Sequence, residues 1–404
     1  MKNLHKSMLG LAVLVAILFQ FSCNPDEGPR IRPFDLTVMI GFPDDYSATE
    51  AAGAKVTIKE LASGSVQEQT ASADGRVDFT QLVPGAYELS ANLQLTAEQA
   101  EEIVGISVPL NLNYLDNNLM LTAEVAEQGP LEIQLSGSAS GGLIIKQLYY
   151  SGSKTPEGSN YFFDQFYEIY NNSDEAIALD GLLISNVYGP SGLINPNTAP
   201  SPFADDQDNV YISTAWRFPG SGEENILQPY TGVLIAQQGI NHQEENANPS
   251  SPVNLSNADF ELFVTGSTRD IDAPNVPNMV MVYHPFNATF SLVPVFGPGT
   301  ILWKTEDFGA LEQVSIPDTS PEFPRVVKVP KNLVIDAVEA LRSETDGAFK
   351  RIPVSLDAGF SFVSNTYTGE SIIRKSVVLD GHKVYQDSNN SSEDFILLDQ
   401  PELP

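Results

Sequence analysis

The chain has 404 residues, 52 of them acidic against 21 basic, for a formal charge of −31. That balance excludes nucleic acid as a partner, because phosphate would be repelled rather than neutralised. The chain is 42% hydrophobic and 9% aromatic, enough to build real cores and to exclude global disorder. A single cysteine excludes a disulfide framework and a cysteine-based zinc site. The 29 glycines and 28 prolines are scattered through the chain. They suit many turns between short strands, and the length suits two or three domains.

Residues 1–22 read as a secretory signal. Lys2 and Lys6 precede a 14-residue apolar run from Met8 to Phe21. The run is too short to cross about 30 Å of hydrocarbon, which needs about 20 residues. It ends at Ser22-Cys23, so the one cysteine stands at the expected cleavage point. A small residue before cysteine after an apolar run resembles a bacterial lipobox. The resemblance implies acylation of Cys23, with residues 23–33 as a lipidated linker. Acyl chains contribute about 0.8 kcal/mol per buried CH2, so two or three anchor firmly. Removing residues 1–22 takes two lysines and no acid, moving the formal charge from −31 to −33. Asp26 and Glu27 resemble the acidic surface-export signal of Bacteroidota lipoproteins, which implies display on the outer leaflet of the outer membrane.

Residues 34–135 alternate apolar and polar, as in Phe34, Leu36, Val38 and Ile40, then Val56 and Ile58, then Val77 and Phe79, then Tyr87 and Leu89. Period-2 spacing argues half-buried strands. Asp74-Gly75 is expected to close a tight hairpin and Pro84-Gly85 to set the next turn. Thr96 and Gln99 have the spacing of a capping box opening a helix to about Val104. The stretch from Gly53 through Asp74-Gly75 to Leu82-Val83-Pro84-Gly85-Ala86-Tyr87 resembles the carboxypeptidase-regulatory, transthyretin-like β-sandwich. That resemblance implies a non-catalytic spacer or interaction module and no site residues. Residues 136–142, Ser-Gly-Ser-Ala-Ser-Gly-Gly, read as a linker.

Residues 143–404 open a second β region. Five segments occur in the order they take in lamin-tail domains, which are compact immunoglobulin-like sandwiches. They are Phe166-Tyr-Glu-Ile-Tyr-Asn-Asn-Ser173 with Leu179-Asp-Gly181, then Ile226 to Ala236, then Leu255 to Leu262, then Val334-Ile-Asp-Ala-Val338, then Ser371-Ile-Ile-Arg374 with Asp394-Phe395. The resemblance implies a second sandwich. The region is longer than the family's domain, and the excess is expected as loop insertions at about 185–225, 239–254 and 265–330. The fold class is therefore all-β, with two β-sandwich domains, the second carrying long insertions. Val334 to Glu344 also has helix-forming composition; the strand reading is preferred.

Binding is expected on the insertions, since loops on a rigid scaffold commonly carry it. Tyr188, Tyr211, Trp216 and Phe218 lie in a polar stretch, where aromatics either stack on sugars or fill a partner's pocket, or else cover the loop's own core. Asp205, Asp206 and Asp208 are hard oxygen donors of the type Ca2+ takes, and Asp387 with Glu393 and Asp394 forms a second acidic cluster. Neither matches the EF-hand pattern, and an acidic chain produces such clusters by chance. Glu168, Asn171 and Asp336 read as backbone-bonding side chains rather than a site. No G-x-S-x-G elbow, Walker loop, G-x-G-x-x-G or H-E-x-x-H occurs.

The whole arrangement resembles uncharacterised outer-membrane lipoproteins of Bacteroidota. It implies a non-catalytic, surface-exposed module of unknown ligand, accessory to a TonB-dependent transporter in nutrient capture and requiring no cofactor. A structural adhesin or surface-matrix component is the alternative, and a carboxylate-based hydrolase the third reading.

Overall fold

A computed structural model describes residues 32–404, apart from 45, 105–108, 140–141, 174, 190–199, 287–288 and 380–381. Cys23, the signal segment and most of the acidic linker lie outside the described residues. Nearly all regular structure is β. Among the described residues no helix is long and apolar enough to cross a membrane.

The first sandwich has eight strands: β1 (Phe34–Gly41), β2 (Lys55–Glu60), β3 (Val66–Thr70), β4 (Arg76–Leu82), β5 (Gly85–Leu95), β6 (Leu110–Leu121), β7 (Leu131–Gln134) and β8 (Ser136–Ala139). They form sheets in the orders β4-β1-β7 and β3-β2-β5-β6-β8. The period-2 residues do what their spacing demands: Leu36, Val38, Val56, Ile58, Val77, Phe79 and Leu89 are all buried between the sheets. Each such side chain contributes about 1.5–3 kcal/mol when removed from water. Helix α1 (Ala97–Val104) opens on the expected capping box. Gln99 N donates to Thr96 Oγ1 at 3.3 Å, and Thr96 N donates to Gln99 Oε1 at 2.9 Å. The Tyr87 hydroxyl accepts from Val83 N at 3.0 Å and donates to Val83 O at 2.8 Å, locking the Pro84-Gly85 turn.

Two expectations here are corrected. Asp74-Gly75 does not close a hairpin, because β3 pairs with β2 whereas β4 pairs with β1. The turn crosses from one sheet to the other. Gly75 has φ +73°, and a Cβ there would lie 2.5 Å from Ile40 O, so the position needs glycine for conformation and for space. Residues 136–139 are not linker but strand, in register with β6 from Leu110↔Ala139 to Asn113↔Ser136. The small residues carry little strand propensity; the open edge of β6 supplies the hydrogen-bonding partners that make them a strand.

The second sandwich faces a six-stranded sheet against a five-stranded one. The first runs Phe260–Glu261, Gly232–Ala236, Phe166–Asn171, Leu143–Tyr149, Ser371–Arg374 and Phe395–Leu398. The second runs Val280–Tyr283, Ala215–Arg217, Leu183–Asn186, Gly299–Trp303 and Val334–Glu339. Val334–Glu339 is thus a strand, paired with Gly299–Trp303. A small third sheet adds Asn209–Ile212, Val326–Pro330 and Gln313–Val314. The stretches expected as insertions at 185–225 and 265–330 are therefore not appendages. They supply three of the five strands of one sheet and all of the small sheet. Their strands are two to five residues long between prolines and glycines, too short for alternation to show.

The sandwiches meet at a polar seam. Asn111 Nδ2 donates to Asp387 O at 3.1 Å, and the Nδ2 atoms of Asn113 and Asn92 approach Ser388 O at 3.4 and 3.5 Å. Asn111 and Asn113 are buried there although they are polar, because the 387–388 loop of the second sandwich covers them.

Candidate binding cleft

Of the two alternatives for the four aromatics, the structure shows the core-covering one. Trp216 and Phe218 are 2% and 0% exposed and pack between the main sheets. Tyr188 and Tyr211 are buried with Phe203, Ile316 and Val326. Phe203 stacks on Tyr211 with centroids 4.0 Å apart. The polar neighbours of these residues in sequence suggested a loop, but the short strands turn the rings inward. Tyr188 borders a cavity of about 370 Å³ with Phe286 and Leu292.

The acidic clusters are also corrected as Ca2+ sites. Asp206 accepts from Tyr211 Oη at 2.6 Å, Asn209 Nδ2 at 3.0 Å and Asp208 N at 3.1 Å. Asp208 pairs with Lys331 at 3.1 Å, and Asp205 is exposed. Among the described residues no group of three or more His, Cys, Asp or Glu is arranged to hold a metal ion. At the second cluster a guanidinium stands where a cation would. Arg374 Nη1 reaches Asp394 Oδ2 at 2.9 Å and Asp387 Oδ1 at 3.1 Å, and Nη2 reaches Asp336 at 2.9 and 3.1 Å. Burial alone would lower the Arg374 pKa; the three carboxylates outweigh it and hold the group above its ordinary value. Three separate motif fragments, those of Asp336, Arg374 and Asp394, thus converge on one buried ion cluster.

Glu168 and Asn171 are structural as well. Asn171 Nδ2 donates to Glu175 O at 2.7 Å and to Leu227 O at 3.2 Å. Glu168 accepts from Lys146 Nζ at 2.7 Å, with the ammonium 5.3 Å from the Tyr385 ring centre. Burial nevertheless raises the Glu168 pKa.

An open cleft of about 650 Å³ lies between the chain leaving strand Gly232–Ala236 and the loop around 269–275. Two carboxylates, the buried Glu261 and the half-buried Asp270, fasten its walls together. Glu261 accepts from Gly239 N and from Ala273 N, each at 2.7 Å, so one carboxylate holds both walls. Burial pushes its pKa up to about 7 against the pull of those N–H groups. Asp270 accepts from Gln238 Nε2 at 2.9 Å and Val264 N at 2.8 Å, and burial raises its pKa too. Gly239 sits against Val276, where a Cβ would come within 2.7 Å of Cγ2.

His242 is buried behind the cleft. Its Nε2 is 3.0 Å from Gln238 O, which only accepts, so Nε2 carries the hydrogen and Nδ1 accepts from Tyr161 Oη at 2.8 Å. Burial lowers its pKa to about 4, so the ring is neutral at neutral pH. The same region is pinned by Asp164, which accepts from Ser153 Oγ at 2.6 Å, Ser251 Oγ at 2.7 Å and Tyr149 Oη at 3.1 Å. Burial pushes Asp164 up to about 6. Glu261, Asp270 and His242 carry no sequence signal of their own. Glu261 sits inside the Leu255–Leu262 motif, but its two partners lie 22 and 12 residues away.

With this geometry in view, the chain can be set beside known proteins. Residues 228–402 match the family described as Protein of unknown function (DUF4876). The matched segment includes the cleft walls at 238–247 and 269–275 and all four members of the Arg374 cluster, whereas the cleft residues Tyr161 and Phe163 lie upstream of it. The chain is also similar to a DUF4876 family protein from Bacteroides thetaiotaomicron VPI-5482, known from a crystal structure. The two share 28% identity and a TM-score of 0.58, over 90% of this chain and 95% of that one. The resemblance to an uncharacterised Bacteroidota family is supported at this level. The comparison with curated proteins finds no match.

Proposed function

We propose that the mature chain is a non-catalytic binding module, tethered to the outer-membrane surface through Cys23 and working beside a TonB-dependent transporter in nutrient capture. The observation that carries the binding reading is the cleft of about 650 Å³ whose walls are held by Glu261 and Asp270. Its size lies in the range of small-molecule sites, about 300–1,000 Å³. The buried carboxylates support a role in support rather than catalysis. One oxygen of Asp164 takes three hydroxyls, the two oxygens of Glu261 each take a backbone N–H, and Asp357 takes Glu339 N and Ser391 N and Oγ. A general acid needs its carboxyl turned toward substrate.

The tether rests on the apolar run ending at Cys23, and the transporter on the resemblance of the whole arrangement. Cell fractionation of a Cys23→Ala variant tests the first. The variant is expected in the soluble fraction, and unchanged membrane retention refutes the anchor. A pull-down from detergent-solubilised outer membrane tests the second: a stoichiometric barrel partner is expected, and self-association alone favours the adhesin reading.

A further inference from the structure

The cleft walls combine two kinds of surface. One is aromatic and rigid. Tyr161 is held by the neutral His242, with the two rings edge-to-face at 5.7 Å. Phe163 packs on Phe162 and Phe290 with centroids 4.6 and 5.2 Å apart. The other surface is polar and available. Asn246 and Asn275 line opposite walls, are exposed, and make no side-chain hydrogen bond among the described residues. The charges cancel: Glu244 and Arg269 both line the cleft, while Asp270 is turned inward to Gln238 and Val264. The chain as a whole carries a formal charge of −31, whereas the formal charges in this lining sum to zero.

From this juxtaposition we infer that the cleft binds an uncharged, ring-bearing polyhydroxyl ligand, a short neutral glycan segment. This deepens the binding reading above and rests on it. A sugar ring offers C–H faces to Tyr161 and Phe163, and hydroxyls that both donate and accept toward Asn246 and Asn275. Amides serve both roles, which a lone carboxylate or ammonium does not. An anionic ligand would meet the field of the whole chain, and a cationic one has no surplus of acid in the lining. The walls are already fastened by Glu261 and Asp270, so little ordering is required on binding.

Native affinity electrophoresis of the detergent-solubilised lipoprotein tests the inference. The gels contain starch, xylan, galactomannan or laminarin, with polygalacturonate as the acidic comparison. At least one neutral polymer is expected to retard the protein. Asn275→Ala, an exposed change that leaves the fold intact, is expected to weaken retardation about fivefold to tenfold, the effect of one lost hydrogen bond or slightly more. Phe163→Ala is expected to abolish it. Retardation by polygalacturonate alone, unchanged retardation of Asn275→Ala, or no retardation in any gel overturns the assignment. Recovery of a stoichiometric transporter in the pull-down, with no glycan retained, removes the ligand class and leaves the binding module standing. Absence of both removes the two together.

Discussion

Replacing Arg374 with methionine is the sharpest test of what holds the second sandwich together. The guanidinium is 2% exposed and faces Asp336, Asp387 and Asp394, with Nε also donating to Ile145 O at 3.0 Å and Nη1 to Gln386 O at 3.0 Å. Methionine fills much of the same volume and supplies no donor. It leaves buried carboxylates without a counter-charge, and removing one partner of a buried pair costs about 3–5 kcal/mol. One cation serves three acids here, which places the loss toward the upper end. A typical domain has a total of about 5–15 kcal/mol, so much of the margin disappears. The assay follows from composition. The two tryptophans, Trp216 and Trp303, both lie in the second sandwich, so intrinsic tryptophan fluorescence in a denaturant titration reports that unit alone. A lower midpoint with an unchanged slope is expected. Arg374→Lys, which keeps the charge and loses the fork, is expected to fall between the two. A loss below about 1 kcal/mol for Arg374→Met would refute the claim that this cluster is a principal support.

Two further expectations concern the cleft and the first sandwich. Glu261 is raised from 4.5 to about 7 in the folded protein, so the native state holds this proton longer than the unfolded chain. Its contribution is therefore fully present below about pH 4.5 and is lost as pH rises through about 7. The Tm difference between wild type and Glu261→Gln is expected to move against the wild type from pH 5 to pH 8; parallel pH profiles would contradict the linkage. Thr96→Ala removes the hydroxyl that accepts from Gln99 N and is expected to cost about 1 kcal/mol at the start of helix α1. Hydrogen exchange over 97–104 is the measurement, with faster exchange expected and unchanged protection counting against the cap.

Local features of the fold were legible in the chain itself. Alternation marked β1, β2, β4 and β5 because a strand places residues i and i+2 on one face, and that period survives without any knowledge of the partner strand. The Thr96–Gln99 cap and the Tyr87 turn were legible for the same reason, since donor and acceptor lie within four residues of each other. Asp336, Arg374 and Asp394 were visible as separate fragments, but nothing local says that they meet. Only tertiary structure decided that Asp74-Gly75 crosses between sheets, that 136–139 joins the edge of β6, and that Trp216 and Phe218 face inward. It alone made the cleft, whose walls come from Tyr161, from 238–247 and from 269–275. Strand pairing and burial depend on register between distant segments, and a carboxylate such as Glu261 gains its role only when the fold brings two remote N–H groups to it.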